Sequence, residues 1–128
     1  MIIVDSSGWL QYLTDGPLAE DYAKRLRQTA SIITPAIVVY EVYKHAKRLR
    51  GEDGAIDAVA AMRKTRIVVP LDEELALIAA DLSMELKLAM ADAIILSTAR
   101  VFGAELVTSD GDFRDVADVT YLPLPEAK

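Results

Sequence analysis

The sequence predicts an α/β fold: one three-layer domain in which a central parallel sheet of about five strands is flanked by helices on both faces. Three observations predict it. Short apolar, β-branched runs recur along the 128 residues. Longer segments with helical periodicity lie between them. The two kinds alternate, which within one domain implies right-handed crossovers and a parallel sheet.

Residues 2–5, Ile-Ile-Val-Asp, read as a short buried strand. Ser6 or Ser7 is then an N-cap for a helix through about Leu13, stopped by Asp15-Gly-Pro17. A helix from Pro17 to about Gln28 carries Leu18, Tyr22, Ala23 and Leu26 on one face, and Ser31–Thr34 is the second strand. Thr34 and Pro35 read as an N-cap and an N1 proline, opening a helix to about Arg50. Gly51-Glu-Asp-Gly54 breaks it, and a helix over roughly 57–64 follows. Arg66–Pro70 is the third strand. Asp72 caps a helix through about Leu86, and a further helix spans about 90–102 with Gly103 as its C′ residue. Ala104–Thr108 is the fourth strand and Val119–Leu122 a fifth, on an edge. Residues 1–128 form one domain, and the tail from 123 to 128 is expected to fray.

Composition narrows the function. A chain with 52 % hydrophobic residues can bury a core without staples, and with no cysteine it has neither disulfides nor thiolate metal sites. No apolar run approaches membrane-span length and the N-terminus lacks signal-peptide character, so a cytoplasmic location is expected. The net charge of −6 is unevenly spread. Residues 24–66 hold ten of the fourteen Lys and Arg against four acids, whereas residues 71–128 hold four against twelve. Polyanions are gripped by local patches, not by net charge. The candidate patch is Lys44, His45, Lys47, Arg48 and Arg50, extended by Lys24, Arg25 and Arg27; the alternative is an ordinary solvated helix face.

Five acids stand where strands end or helices begin, each beside apolar sequence: Asp5, Glu41, Asp92, Asp110 and Asp112. Ligand sites in parallel sheets form at the carboxyl ends of strands. Asp5, Asp110 and Asp112 fall there directly, while Glu41 and Asp92 lie early in helices that can face the same crevice. Each also has a purely structural reading. Asp5 could cap a helix, Glu41 could pair with Lys44 or His45, Asp92 could complement a helix dipole, and Asp110 and Asp112 occupy a Gly-containing turn. Ser6, Ser7, Thr108 and Ser109 either support the carboxylates or cap.

Carboxylates without His or Cys make an all-oxygen site suited to Mg²⁺ or Mn²⁺ and poor for Zn²⁺. Two bare carboxylates about 4 Å apart repel by roughly 4 kcal/mol at an effective dielectric near 20, so clustering requires a cation or a proton. The matching reaction is phosphodiester hydrolysis. Other chemistries lack residues. His45 is the single histidine, no Gly-x-Ser-x-Gly elbow exists, and no glycine-rich nucleotide fingerprint appears. A receiver-like phospho-acceptor would want paired acids after the first strand and a late lysine, and a haloacid-dehalogenase-type phosphatase a second Asp at position 7, which is serine.

With these residues assembled, the sequence resembles the PIN-domain nucleases, most nearly the VapC-type toxins of prokaryotic toxin–antitoxin pairs. The resemblance spans nearly the whole chain and rests on Ile3-Val-Asp-Ser-Ser7, Pro35 with Val39-Tyr-Glu-Val42, Ala91-Asp-Ala-Ile-Ile95 with Thr98-Ala99, and Leu106-Val-Thr-Ser-Asp-Gly-Asp-Phe113. It implies Asp5, Glu41, Asp92 and Asp110 as catalytic metal ligands, Asp112 as an outer or second-metal ligand, and Thr108 as a positioning hydroxyl. It also implies Mg²⁺- or Mn²⁺-dependent endoribonuclease activity, dimerisation, and a VapB-like antitoxin that inserts a segment into the groove. The segment Leu86–Ala91 lacks the glycine many relatives carry there. The acidic C-terminal half leaves RNA binding to residues 24–66. The competing readings are a catalytically silent PIN-like scaffold binding RNA or protein, and cleavage of DNA.

Overall fold

The computed structural model describes residues 1–125. The elements run β1 (Ile2–Val4), α1 (Ser6–Leu13), α2 (Ala19–Leu26), β2 (Ile33–Pro35), α3 (Ala36–Arg63), β3 (Ile67–Val69), α4 (Glu73–Leu86), α5 (Met90–Phe102), β4 (Glu105–Thr108) and β5 (Val119–Tyr121). Every strand pairing is parallel. β1, β4 and β5 form one sheet, β2 and β3 another, and a single bridge between Ile2 and Ile32 joins them in the order β3-β2-β1-β4-β5. The expected five-strand sheet is therefore built as three strands plus two, with β5 on the edge as anticipated.

The central strands are short and apolar on both faces. Ile3, Val4, Leu106 and Val107 are all buried, as a parallel sheet covered by helices on each side requires. Onto them pack Trp9 of α1, Tyr22 and Leu26 of α2, Val38, Val42 and Met62 of α3, and Ile95 and Ala99 of α5. α5 is the innermost helix, buried from Asp92 through Ala99, and Asp92 in its first turn is near enough to Asp5, after β1, and Asp110, after β4, to be influenced by both.

Several boundaries differ from expectation. The second strand begins at Ile33, because Thr29–Ser31 tighten into a 3-10 turn. Pro35, not Thr34, stands at the N-cap position of α3, and no side chain caps that end. α3 starts at Ala36, one residue too late for Thr34 to be its N-cap, and the Thr34 hydroxyl is turned instead to Thr65 at 2.9 Å. α2 begins at Ala19 and stops at Leu26. Gly51 does break α3, with φ 73° and ψ −165°, but the helix resumes at once. Asp72 caps α4 through its side chain to the Leu75 N–H at 2.8 Å, and Gly103 ends α5 in the left-handed region, both as expected. The expected fray of 123–128 falls partly outside the described residues; 123–125 carry no regular structure.

Candidate metal centre

The first strand delivers Asp5 to its carboxyl end, and there the side chain does two things. It caps α1 by accepting from the Gly8 N–H at 3.3 Å, so the structural reading of Asp5 is correct as far as it goes, and Ser6 and Ser7 are not the cap. It is also held by two hydroxyls. Ser7 Oγ donates to Oδ1 at 2.6 Å and Thr108 Oγ1 to Oδ2 at 2.5 Å. Each hydroxyl in turn accepts from the closing loop: Ser7 from the Ser109 N–H and Thr108 from the Asp110 N–H, both at 2.9 Å. Two short relays thus fasten the loop after β4 to the acid after β1. The Ser109 hydroxyl itself turns inward, to Tyr22 Oη at 2.6 Å, so its support of the site runs through the backbone.

The same relays bring Asp110 close. One carboxylate oxygen from each of Asp92, Asp110 and Asp112 lies within 4.8 Å of the others. Asp5 and Glu41 stand outside this trio, but Asp110 raises the proton affinity of Asp5, Glu41 and Asp92, and Asp5 adds to that of Asp92. Asp110 is therefore the hub of the cluster. Asp112 is exposed and acts on Asp92 alone; its own N–H donates to Asp110 Oδ1 at 2.9 Å.

Burial dominates the electrostatics. It pushes the Asp92 carboxyl up to about 7, reinforced by Asp110 and Asp112, and the helix dipole does not keep it anionic. Burial likewise lifts Asp5 to about 6 against the opposing pull of Ser7, Thr108 and Gly8. Glu41 is also raised by burial, although the Ser6 hydroxyl and His45 partly counter this. Its Oε1 is buried without any hydrogen-bond partner. An orphaned carboxylate oxygen facing further carboxylates is the arrangement a divalent cation satisfies. The donor set, all oxygen, fits Mg²⁺ or Mn²⁺.

The basic residues of α3 divide. Lys44, His45 and Arg48 follow Glu41 by three, four and seven positions, so they share its face. Lys47 and Arg50 point elsewhere, and Lys47 is held by Glu52 at 2.9 Å and lies over the Tyr43 ring.

Gly8 carries no expectation from the sequence, and Tyr22 only a place on one face of its helix. A Cβ at Gly8 would stand 2.3 Å from a Tyr22 ring carbon and 2.6 Å from Val4 Cγ1. Tyr22 is fully buried and cannot retreat. The available signal was a glycine inside a helix, costing about 1 kcal/mol against alanine and so demanding a reason. Gly8→Ala is expected to lower stability by about 2 kcal/mol through overpacking, read as an earlier urea midpoint, and to loosen the Tyr22–Ser109 contact behind the site.

The PIN domain family model matches residues 2–119, and the chain belongs to this family. No curated protein matches it significantly in sequence. Solved structures do. A chain of a toxin–antitoxin complex from Klebsiella pneumoniae is 25 % identical, with a TM-score of 0.75 over 94 % of this chain and 96 % of that one. VapC20 of Mycobacterium tuberculosis, a sarcin–ricin-loop-cleaving toxin, is 22 % identical with a TM-score of 0.80 over 96 % and 100 %. FitAcB of Neisseria gonorrhoeae is 23 % identical, TM-score 0.74, over 96 % and 98 %. Among the described residues no helix is long and apolar enough to cross a membrane.

Proposed function

We propose that the protein is a Mg²⁺- or Mn²⁺-dependent endoribonuclease acting in the cytoplasm as the toxin of a VapBC-type pair. The observation that carries this is the close approach of the Asp92, Asp110 and Asp112 carboxylates, with Asp5 and Glu41 outside that trio but near enough for Asp110 to raise their proton affinity. Asp5, Glu41, Asp92 and Asp110 are the residues that would hold the cation, with Asp112 in an outer or second position. Bound there, a divalent cation supplies a Lewis acid that activates water and neutralises phosphate charge.

The chain's own residues do the rest. Ser7 and Thr108 fix both oxygens of Asp5, so the carboxylate cannot swing away as charge develops. Thr108 and Asp110 move as one unit through their hydrogen bond. Lys44, His45 and Arg48 extend from Glu41 as a ridge for the RNA backbone. The resemblance to toxin–antitoxin structures supports a VapB-like antitoxin and a homodimer as partners. The α4–α5 face, where Met84 is 82 % and Met90 72 % exposed, offers apolar surface for a protein contact.

The test is incubation of purified protein with a panel of structured RNAs and DNAs, with Mg²⁺ or Mn²⁺ and with EDTA. Metal-dependent cutting of RNA into fragments with 5′-phosphate and 3′-hydroxyl ends supports the reading. Cutting of DNA alone changes the substrate, and metal binding without any cutting leaves a silent scaffold. On the ridge, Lys44→Ala with Arg48→Ala is expected to flatten the salt dependence of RNA binding by about 0.7 per lost phosphate contact. Lys47→Ala with Arg50→Ala is expected to leave it nearly unchanged, measured by fluorescence anisotropy across a salt series.

A further inference from the structure

A cleft of about 630 Å³ opens beside the acid cluster, sharing Gly111 and Asp112 with it. It lies in the half of the chain where acids outnumber bases, yet its lining includes Lys87, after α4, and Arg100, near the end of α5. Between residues 71 and 125 the chain has only three basic residues, and the third, Arg114, stands over Gly111 at the cleft's edge. Among the described residues neither Lys87 nor Arg100 forms an ion pair, the pairs present being Arg27–Glu20 and Lys47–Glu52. The one carboxylate of the lining apart from Asp112 is Asp115, and its charge is felt by Arg114.

Lys87 also holds an uncommon backbone. Its φ of 56° is left-handed, a conformation that glycine adopts without strain and lysine does not. That conformation ends α4, the Lys87 N–H closing on the Ser83 carbonyl, and it turns an exposed cation without an ion-pair partner toward the cleft beside Asp112.

We propose that this cleft is a second RNA-backbone subsite, in which Lys87 and Arg100 hold phosphates beside Asp112, in addition to the α3 ridge. The inference rests on the nuclease reading above. Arg100 lies eight residues along α5 from Asp92, about 12 Å at the helical rise, within the span of a short single strand. The volume is ample for a nucleotide. An RNA is favoured over an acidic peptide because the cleft reaches Asp112 of the acid cluster, where peptide carboxylates would meet more carboxylates while phosphates are what a loaded metal centre accepts. The acidic half thus contributes its few cations where substrate passes.

The test uses full-length Asp92→Asn protein with Mg²⁺ and a fluorescent single-stranded RNA, read by anisotropy over a salt series. Lys87→Gly, which relieves the backbone, is expected to keep or raise the melting temperature while weakening RNA binding several-fold. Arg100→Ala is expected to weaken it similarly, and the pair to flatten the salt slope by about 1.4, two phosphates' worth. Arg63→Ala, at the far end of α3, serves as the basic control. Unchanged binding and slope in the pair, while Lys44→Ala with Arg48→Ala still weakens binding, overturns the subsite and leaves the nuclease reading standing. So does a poly-glutamate peptide that binds the Asp92→Asn protein and loses affinity in the pair while RNA does not. If the folded Asp92→Asn protein binds neither the single-stranded RNA nor any of the structured RNAs, both readings fail.

Discussion

Asp92→Asn is expected to abolish metal-dependent RNA cleavage and at the same time to raise the melting temperature of the metal-free protein at pH 7.5. The two effects share one cause. Asp92 is buried among carboxylates, and burial together with Asp110 and Asp112 pushes its carboxyl up to about 7. At pH 7.5 without metal it must hold a charge that its surroundings oppose. The amide keeps the shape and removes the charge, so the apoprotein gains on the order of 2 kcal/mol, roughly 8 °C for a domain of this size. Activity falls because the amide is a far weaker cation ligand. The expected loss exceeds the 10- to 100-fold typical of an outer-shell partner, at roughly 1,000-fold. A purely structural Asp92 would show the reverse pattern, a loss of stability with activity reduced only in proportion. Thermal melts in EDTA and initial cleavage rates in Mn²⁺, taken on the same preparations, separate the two.

Removal of metal is expected to cost stability at high pH and almost none at low pH. Asp5 and Asp92 have folded-state values near 6 and 7, both above the ordinary carboxyl value of 3.8. The folded apoprotein therefore holds protons that the unfolded chain has released over this window. Its stability is greatest below about pH 4 as far as these two groups are concerned, and it is lost as pH rises through 6 and 7. The loss is on the order of 3 kcal/mol, since one unit corresponds to about 1.4 kcal/mol and the coupled pair does not add fully. A cation bound to the ionised cluster offsets it, so Mn²⁺ should raise the melting temperature strongly at pH 8 and barely at pH 5. Denaturant melts at both pH values, with and without Mn²⁺, give the four numbers needed. Equal stabilisation at both would place the metal elsewhere.

The acids were legible because each interrupts apolar sequence, and a charge in an apolar run is visible without knowing the fold. The approach of Asp5 to the loop that carries Asp110 followed once both were assigned to strand ends, because a parallel sheet puts those ends together. What could not be read was everything fixed by a distant partner. Thr34 looked like a cap until Thr65, thirty-one residues away, took its hydroxyl. Ser109 looked like a site residue, but Tyr22 draws its side chain inward across eighty-seven residues. Asp5 looked like either a cap or a ligand; it does cap, and Thr108 arrives from 103 residues downstream to hold the oxygen that capping leaves free. Charge was the least legible property. Summed along the chain it assigned substrate contact to residues 24–66 alone, whereas folding sets Lys87 and Arg100 in a cleft beside Asp112.

The central claim is that one cation site is built jointly by residues from β1, α3, α5 and the loop after β4. Titration of Mn²⁺ followed by electron paramagnetic resonance, on the wild type and on Asp5→Asn, Glu41→Gln, Asp92→Asn and Asp110→Asn, tests it without reference to any substrate. All four variants, each altered in a different segment, should lose Mn²⁺ affinity at least about 10-fold, in line with the loss of a metal-site group. If instead only Asp110→Asn weakens binding, the metal belongs to the exposed turn alone, and the shared site does not exist.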